Sequence, residues 1–363
     1  ASLRWNHLFS GKLFFNMSLI YSRYSYKLGT SGAEVNSFTW NSRLQDYSAR
    51  FDFSHYVNNA HTLKYGLTTM LHTFFPGNAS GQGTTELYEF ILPAQYALEH
   101  SLYATDEYNA GKRFTLKYGL RFAIFQNIGP STVYNFDRNY MPVDSSVYSR
   151  FNIFNNYISP EPRITFTFLV NDRSSIKGSY SHSAQFLNLA QNSTAGTPLD
   201  VWFPASPNVR PQLSDQFSAG YFRNFRQDMF KVSLEIYYKK LWNVIDFRDH
   251  AQLLLNEYLE GEIRKGRGYS YGIETMVRKD EGRLTGWFSY TYSRTFRTVD
   301  EINNGRRYNA PYDKPHSLNL VANYNVSKRF SASATWIYAT GLPVTFPTGR
   351  ANIGNSIIPV YSG

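Results

Sequence analysis

One loop carries the residues best suited to binding a ligand. The stretch 187–212 is rich in Asn, Ser and Thr, yet it holds the adjacent rings Trp202 and Phe203. Exposed rings in a polar loop suit apolar or stacking contact with a small molecule, and Arg210 suits an anionic group. The alternative is that both rings pin the loop onto its neighbours or mark a membrane interface.

A second candidate is the triplet Arg306, Arg307 and Tyr308 in the stretch 296–312. Two guanidinium groups beside a phenol would suit the same kind of ligand. The alternative is a solvated loop tip, where long charged side chains are commonly found. Both segments are therefore predicted to be ligand-binding candidates in loops.

The chain does not arrange its reactive side chains for covalent chemistry. We predict no base beside a nucleophile and no nucleophile elbow. The chain has no Cys, no H-E-x-x-H motif and no G-x-x-x-x-G-K loop, and Asp249 and His250 are interpreted as solvated neighbours. We expect His100, His182 and His316 to lie on strands near an interface. The predictions are no enzyme, no metal site and no cofactor.

The chain is basic without being organised for nucleic acid. It has 37 Lys and Arg against 27 Asp and Glu, a formal net charge of +10. These cations are spread along the sequence without a cluster or a binding motif, so nucleic acid is not an expected partner.

The elements that must position these residues show period-two alternation. From 113 to 125, apolar and polar residues alternate, and the pattern returns at 63–72, 230–239, 317–324 and 330–338. Successive strand residues point to opposite faces, so one face is apolar and the other is polar. The residues predicted to face a lumen, where they would contact a plug domain, are Arg113, Lys117, Arg121, Lys231 and Glu235.

About fourteen such segments alternate with short and long connections. Tight turns are predicted at 9–12, 58–61, 109–112, 171–174, 225–228, 279–282 and 325–328, and long loops at 27–37, 76–85, 127–152, 187–212, 243–266, 296–312 and from 341 onward. Outer-membrane barrels have short periplasmic turns and long extracellular loops. Aromatic residues make up 17% of the chain, as interfacial girdles require. A soluble sandwich, the alternative, has strands of about five or six residues.

Three stretches resemble the barrel of TonB-dependent receptors. They are TPLDVWFPASPNVRPQLSDQFSAGYFRNF at 197–225, YSYGIETMVRKDEGRLTGWFSYTYSR at 269–294 and YNAPYDKPHSL at 308–318. The resemblance implies an all-β fold, a transmembrane antiparallel up-and-down β-barrel, in which about 14 of 22 strands are present. We expect residues 1–363 to form a partial barrel domain without the plug or the last strands.

The same resemblance implies a function in the cell outer membrane. The intact protein would take up a scarce or bulky nutrient, such as a metal chelate, cobalamin, an oligosaccharide or a peptide, with energy delivered by TonB. The implied partners are outer-membrane lipid and lipopolysaccharide, the TonB complex through a missing N-terminal region, and a surface lipoprotein.

Two other functions remain open from the sequence. One is a passive porin or channel of about 14 strands, which would need no plug and no TonB. The other is a receptor-like scaffold subunit of a larger outer-membrane complex. Flanking sequence would distinguish a porin from a receptor. Co-purifying partner proteins would distinguish a scaffold subunit from a receptor.

Overall fold

A computed structural model describes most of the chain. It covers residues 1–30, 37–82, 87–190, 201–248, 251–253, 255–344, 346–347, 349–353 and 356–360. Asp249 and His250, the middle of the predicted loop 187–212 and part of the loop 27–37 lie outside the described residues. Everything stated below concerns the described part.

One antiparallel sheet dominates the fold, and its strands follow one another in chain order. Its fourteen consecutive neighbours are β1 (Ser2–Ser10), β2 (Leu13–Thr30), β3 (Ser37–Tyr56), β4 (His61–Gln82), β6 (Gln95–Ala110), β7 (Phe114–Ile128), β10 (Ile153–Asn171), β11 (Ser174–Gln185), β14 (Gln212–Phe225), β15 (Phe230–Phe247), β16 (Ile263–Lys279), β17 (Leu284–Val299), β19 (His316–Asn325) and β20 (Ser331–Ala339). The up-and-down order confirms the predicted all-β fold and the predicted strand number.

Shorter elements lie at the end of this sheet where long connections join the strands, which we call the long-loop end. Two strands extend it, β5 (Leu87–Ile91) beside β4 and β18 (Tyr308–Asn309) beside β17. Three separate hairpins are β8 (Ser131–Phe136) with β9 (Pro142–Tyr148), β12 (Leu187–Ala190) with β13 (Val201–Pro204), and β21 (Gly349–Ile353) with β22 (Ser356–Val360). Two 3-10 turns lie at Leu259–Glu262 and Ile302–Gly305.

All seven predicted tight turns connect consecutive strands of the main sheet. Several predicted long loops are shorter than expected, because strands continue into them. β4 runs to Gln82 through most of the predicted loop 76–85, and β15 and β16 narrow the predicted loop 243–266. Bulges between Asn41 and Arg43 and between Trp242 and Val244 interrupt the ladder there. A bulge breaks the period of two, so alternation does not reveal these extensions.

The two faces of the sheet differ as the alternation predicts. Apolar side chains remain widely exposed on one face, for example Leu102 at 60% and Leu234 at 48%. Their sequence neighbours on the other face are polar or buried, and Ser233 is 7% exposed. A soluble protein would cover such a continuous apolar face, whereas lipid covers it in a barrel. No helix in the described ranges is long and apolar enough to span a membrane.

The apolar core lies at the long-loop end, where inward strand residues meet the hairpin of β12 and β13. One cluster has Trp40, Phe203 and Ile263 among its buried members. A second cluster stacks the Phe125 ring on the Phe186 ring, with centroids 4.9 Å apart. These clusters fasten the loops to the inner wall and position the candidate site.

Candidate functional site

The hairpin of β12 and β13 is held on the inner wall by hydrogen bonds. The amide Nδ2 of Asn127 on β7 donates to the Ala205 carbonyl at 2.8 Å. The Tyr157 hydroxyl on β10 donates to the Ser206 carbonyl at 2.8 Å. The Ala205 amide donates to the Phe186 carbonyl at 2.6 Å. The segment that follows Trp202 and Phe203 is therefore bound to the inner wall of the sheet.

The two predicted rings pack into different clusters. Phe203 is 3% exposed and belongs to the cluster of Trp40 and Ile263. Trp202 is half-buried and packs against the cluster that contains Phe125. The Nε1 atom of Trp202 is buried without a hydrogen-bond partner in the described part of the chain. Both rings thus hold the hairpin in place, and their contact with a ligand stays a prediction.

A cavity of about 100 Å³ lies above this hairpin. Its walls include the apolar side chains of Val201, Phe203 and Leu259, and the carboxyl groups of Glu257 and Glu260 also line it. The Tyr134 hydroxyl donates a 2.5 Å hydrogen bond to Glu257, and this bond raises the pKa of Tyr134 to about 12. Tyr134 therefore remains a neutral donor at physiological pH.

Glu260 connects the 3-10 turn to the segment that follows the hairpin. The amide Nδ2 of Asn208 donates to Glu260 Oε2 at 2.6 Å and to the Tyr134 carbonyl at 2.9 Å. Burial raises the pKa of the Glu260 carboxyl, while the contacts from Ser206, Asn208 and Lys265 act in the opposite direction. Desolvation disfavours the charged form, so docking of this segment is sensitive to protonation.

Arg210 and Lys265 are two cations at the end of the sheet where the long loops lie. We call them the cationic pair and this end the mouth. Both side chains are exposed, and neither has a carboxylate within 4 Å among the residues described. Partial desolvation lowers the pKa of the Lys265 ammonium, repulsion from Arg210 lowers it further, and Glu260 raises it. The two like charges favour an anion nearby, and the Glu260 carboxylate, which acts on Lys265 in the opposite direction, reduces that preference.

The triplet at 306–308 is divided between two faces of the sheet. Tyr308 on β18 donates a 2.5 Å hydrogen bond to Asp246, which also lies 3.6 Å from Arg297. Burial and this bond raise the pKa of Tyr308. Arg307 points to the other face, where its Nη1 donates to the Tyr269 hydroxyl at 2.7 Å. Arg306 is exposed. The three residues therefore do not form one site.

A ladder of ionic side chains crosses the inner wall beneath the apolar clusters. His72 Nδ1 lies 2.8 Å from Asp46, and His72 Nε2 lies 3.6 Å from Glu99. Arg121 continues the ladder by donating to Glu99 at 3.0 Å and to Glu161 at 3.3 Å. The inner-wall ladder spans β3, β4, β6, β7 and β10, and its members are Asp46, His72, Glu99, Arg121, Glu161 and Arg163.

Four of the five residues predicted to face the lumen lie on strands, on the face opposite the exposed apolar rows. Arg121 is part of the inner-wall ladder, and Lys117 is on the same side of β7. Lys231 pairs with Asp280 at 2.8 Å near a short turn, and Glu235 is exposed beside Gly220. Arg113 precedes β7, in a tight turn. Their contact with a plug stays a prediction.

Sequence reasoning missed the inner-wall ladder except for Arg121. Asp46, His72, Glu99 and Glu161 are separated in turn by 26, 27 and 62 residues, and only the strand register brings them together. The one available signal was a charge at an inward position on each of five neighbouring strands. Alternation assigns the face of a residue, but it does not assign its height on the wall.

Neither the nucleophile-elbow spacing nor a group of metal-ligating side chains forms a catalytic site in the described residues. The expectation that no nucleophile-elbow spacing occurs was wrong at the sequence level, because 268–272 reads G-Y-S-Y-G. This pentapeptide lies within β16 instead of a strand-to-helix turn, and Ser270 accepts a hydrogen bond from Thr295. No group of three metal-ligating side chains is found in the described ranges.

The three predicted interfacial histidines lie on the apolar face. Each makes one hydrogen bond there: His100 with Thr69 at 2.9 Å, His182 with Asp215 at 2.7 Å, and His316 with Tyr290 at 2.9 Å. The bonds compensate the polar ring atoms on a face that is largely apolar.

Long up-and-down strands, an apolar outer face and a polar inner wall define an outer-membrane β-barrel protein. Among solved structures, the chain is similar to the ferric-catecholate import receptor Fiu of E. coli K12, with 13% identity, a TM-score of 0.59, and coverage of 92% of this chain and 52% of that one. It is also similar to the copper transporter OprC, with 13% identity, a TM-score of 0.68, and coverage of 93% and 51%.

A third similar structure is the siderophore receptor PiuA of Acinetobacter baumannii, with 12% identity, a TM-score of 0.63, and coverage of 93% of this chain and 54% of that one. The chain thus spans about half the length of these proteins. A search of curated protein sequences gave no significant match. The family model described as TonB dependent receptor-like, beta-barrel matches residues 1–356, and the chain belongs to this family.

Proposed function

We propose that the protein containing this chain takes up a bulky anionic nutrient, such as a metal chelate, by TonB-dependent transport. The observation that carries this proposal is the cationic pair of Arg210 and Lys265. Both side chains are exposed at the mouth, and neither has a carboxylate within 4 Å among the described residues. Membership of the TonB-dependent receptor family supports the energy coupling.

The neighbouring apolar surface supports a ligand of mixed character. The cavity of about 100 Å³ beside Phe203 is too small for a whole chelate, but it suits one ring or short chain of a larger molecule. A charged part of the ligand would then contact the cationic pair, and an apolar part would enter the cavity. The similar structures include a ferric-catecholate import receptor and a copper transporter.

Transport would follow capture at the loops. The described strands make their backbone hydrogen bonds with one another, so the wall is rigid. In receptors of this family, movement of a plug pulled by TonB, with energy from the inner-membrane proton gradient, opens the way. The inner-wall ladder is the surface that such a plug would face.

An uptake assay tests this proposal. The protein is expressed in cells that lack other ferric-catecholate receptors, and uptake of a labelled ferric catecholate is followed with and without TonB. We expect uptake only with TonB, and about a tenfold higher half-saturation concentration for the Arg210→Gln, Lys265→Gln double variant, equivalent to about 1.4 kcal/mol. Arg138→Gln, an exposed cation at the tip between β8 and β9, is the control.

The outcomes separate the rival functions. Uptake that persists without TonB would favour a passive channel. Absence of uptake for ferric, cupric and uncomplexed probes, together with co-purification of a surface protein, would favour a scaffold subunit. Equal half-saturation for the double variant and the control would remove the cationic pair from the binding site.

A further inference from the structure

The cavity beside Phe203 is lined by negative charge and by aromatic rings. Glu257 and Glu260 line it, and none of its described wall residues is Lys, Arg or His. Its aromatic rings are those of Tyr96, Tyr134, Phe136, Phe154 and Phe203. The face of an aromatic ring is electrostatically negative, so the rings and the carboxylates both favour a bound cation. The cavity is therefore opposite in sign to the cationic pair at the mouth.

The two carboxyl groups of the cavity have neutral partners only. Glu260 Oε2 accepts a hydrogen bond from Asn208 Nδ2 at 2.6 Å, and Glu257 Oε1 accepts one from the Tyr134 hydroxyl at 2.5 Å. Within the described part of the chain, neither carboxyl group has a Lys or Arg nitrogen within 4 Å. Burial raises the pKa of Glu260, and Lys265 opposes this from a greater distance. An ionised Glu260 thus lacks a close cation.

The rings of the cavity are fixed by other side chains. The Tyr258 ring meets the Tyr134 ring edge-on, with centroids 4.9 Å apart. The Tyr148 ring stacks on the Phe154 ring, with centroids 4.5 Å apart. Phe203 is buried in the cluster of Trp40. Because these rings are ordered before a ligand arrives, binding costs little additional side-chain entropy.

We propose that this cavity binds a primary ammonium group at the end of a short aliphatic arm. The arm would be part of the transported ligand, so this inference rests on the proposed function and extends it. The volume of about 100 Å³ suits such an arm. The ammonium group would pair with Glu260 and contact the ring faces. The ligand would then be zwitterionic, with its anionic part at the cationic pair.

Binding of three small probes to the purified protein tests the proposal. The full protein in nanodiscs is titrated with n-butylammonium, n-butanol and n-butyrate, which are similar in length and differ in charge. Saturation-transfer NMR gives the dissociation constants, and empty nanodiscs of the same zwitterionic lipid give the background. We expect n-butylammonium to bind about tenfold more tightly than n-butanol, and n-butyrate not to bind. Equal affinities for n-butylammonium and n-butanol would overturn the proposal.

A pair of matched variants assigns the preference to one carboxylate. Glu260→Gln keeps an acceptor for Asn208 and removes the charge, so n-butylammonium should bind about tenfold more weakly while n-butanol binds as before. Glu281→Gln removes an exposed carboxylate in a short turn at the opposite end of the sheet, and both affinities should be unchanged. Unchanged n-butylammonium affinity in Glu260→Gln would refute the site. If Glu260→Gln does not fold, the three probes on the unmodified protein decide.

The probe titration contains no chelate, so its result is separate from the uptake assay. The Arg210→Gln, Lys265→Gln double variant should bind n-butylammonium no more weakly than the unmodified protein, because its cations do not line the cavity. Absent chelate uptake with intact n-butylammonium preference would refute the proposed function and leave the cavity site. Normal uptake without that preference would refute the cavity site alone.

Discussion

At the residue scale, the inner wall is defined by charges that are paired with their neighbours. Glu161 shows this best, because its side chain is 1% exposed and accepts hydrogen bonds from Arg121, Arg163 and the Ala184 amide. A buried carboxylate is tolerated only with such partners. The inner-wall ladder therefore links β6, β7, β10 and β11 by side chains as well as by backbone.

Glu161→Gln should destabilise the barrel wall. The amide keeps the shape but cannot accept from two guanidinium groups and one backbone amide at once, so the expected loss is about 1–3 kcal/mol. The measurement is the temperature at which purified protein loses its folded mobility on a gel. Glu235→Gln, an exposed carboxylate on the same wall, should leave that temperature unchanged. Equal temperatures for both variants would contradict the assignment.

The docking of residues 201–209 should weaken as pH rises. Burial raises the pKa of Glu260 above its ordinary value of 4.5, so the docked state favours the protonated carboxyl. This contribution is fully present below about 4.5 and is lost as pH rises through the folded-state pKa. Amide-exchange protection factors of 201–209 should therefore decrease over this range. In Glu260→Gln they should be independent of pH, and a pH-dependent decrease of the same size in that variant would refute the assignment.

At the scale of the element, each long strand separates two solvents. β15 presents Leu234 and Ile236 on one side and Lys231 and Glu235 on the other. The bulge after Trp242 ends this regular alternation near the height of the outer interface. Above it the strand is covered by loops instead of lipid, which explains why Val244 is buried.

Leu234→Arg should impair membrane insertion, whereas Glu235→Arg should not. An arginine at mid-bilayer on the lipid face costs about 2–4 kcal/mol, and its sequence neighbour faces a polar interior. The measurement is the yield of folded protein in lipid vesicles over a urea series. Since both variants carry the same new side chain one residue apart, equal yields would reject the face assignment for β15.

At the scale of the molecule, the main sheet is a strip with two edges. Its order runs from β1 to β20, and within the described residues these end strands each pair with one neighbour. Both strands are exposed along their whole length. Unpaired edges in lipid are costly, so further strands are expected to complete the wall in the whole protein.

A polypeptide restricted to residues 1–363 should aggregate instead of forming a folded barrel. Its two open edges would pair with other copies, because nothing else satisfies their backbone groups in lipid. The measurement is gel mobility and light scattering after refolding in detergent, beside the full-length protein. A monomer resistant to heat would support a closed channel of about 14 strands, the passive alternative.

The sequence alone predicted the fold class, the strand number and the turns, because alternation and turn residues are local and the alternation recurs in about fourteen segments. The family followed from the three stretches 197–225, 269–294 and 308–318. The sequence also assigned Arg121 and Lys117 to the polar face of β7, and their position toward a lumen stays a prediction. It did not predict the inner-wall ladder, the burial of Phe203 or the division of Arg307 from Tyr308. Those features depend on strand register and on two bulges, which bring residues far apart in the chain to the same height. Register is a property of paired strands, so only the tertiary structure decides it.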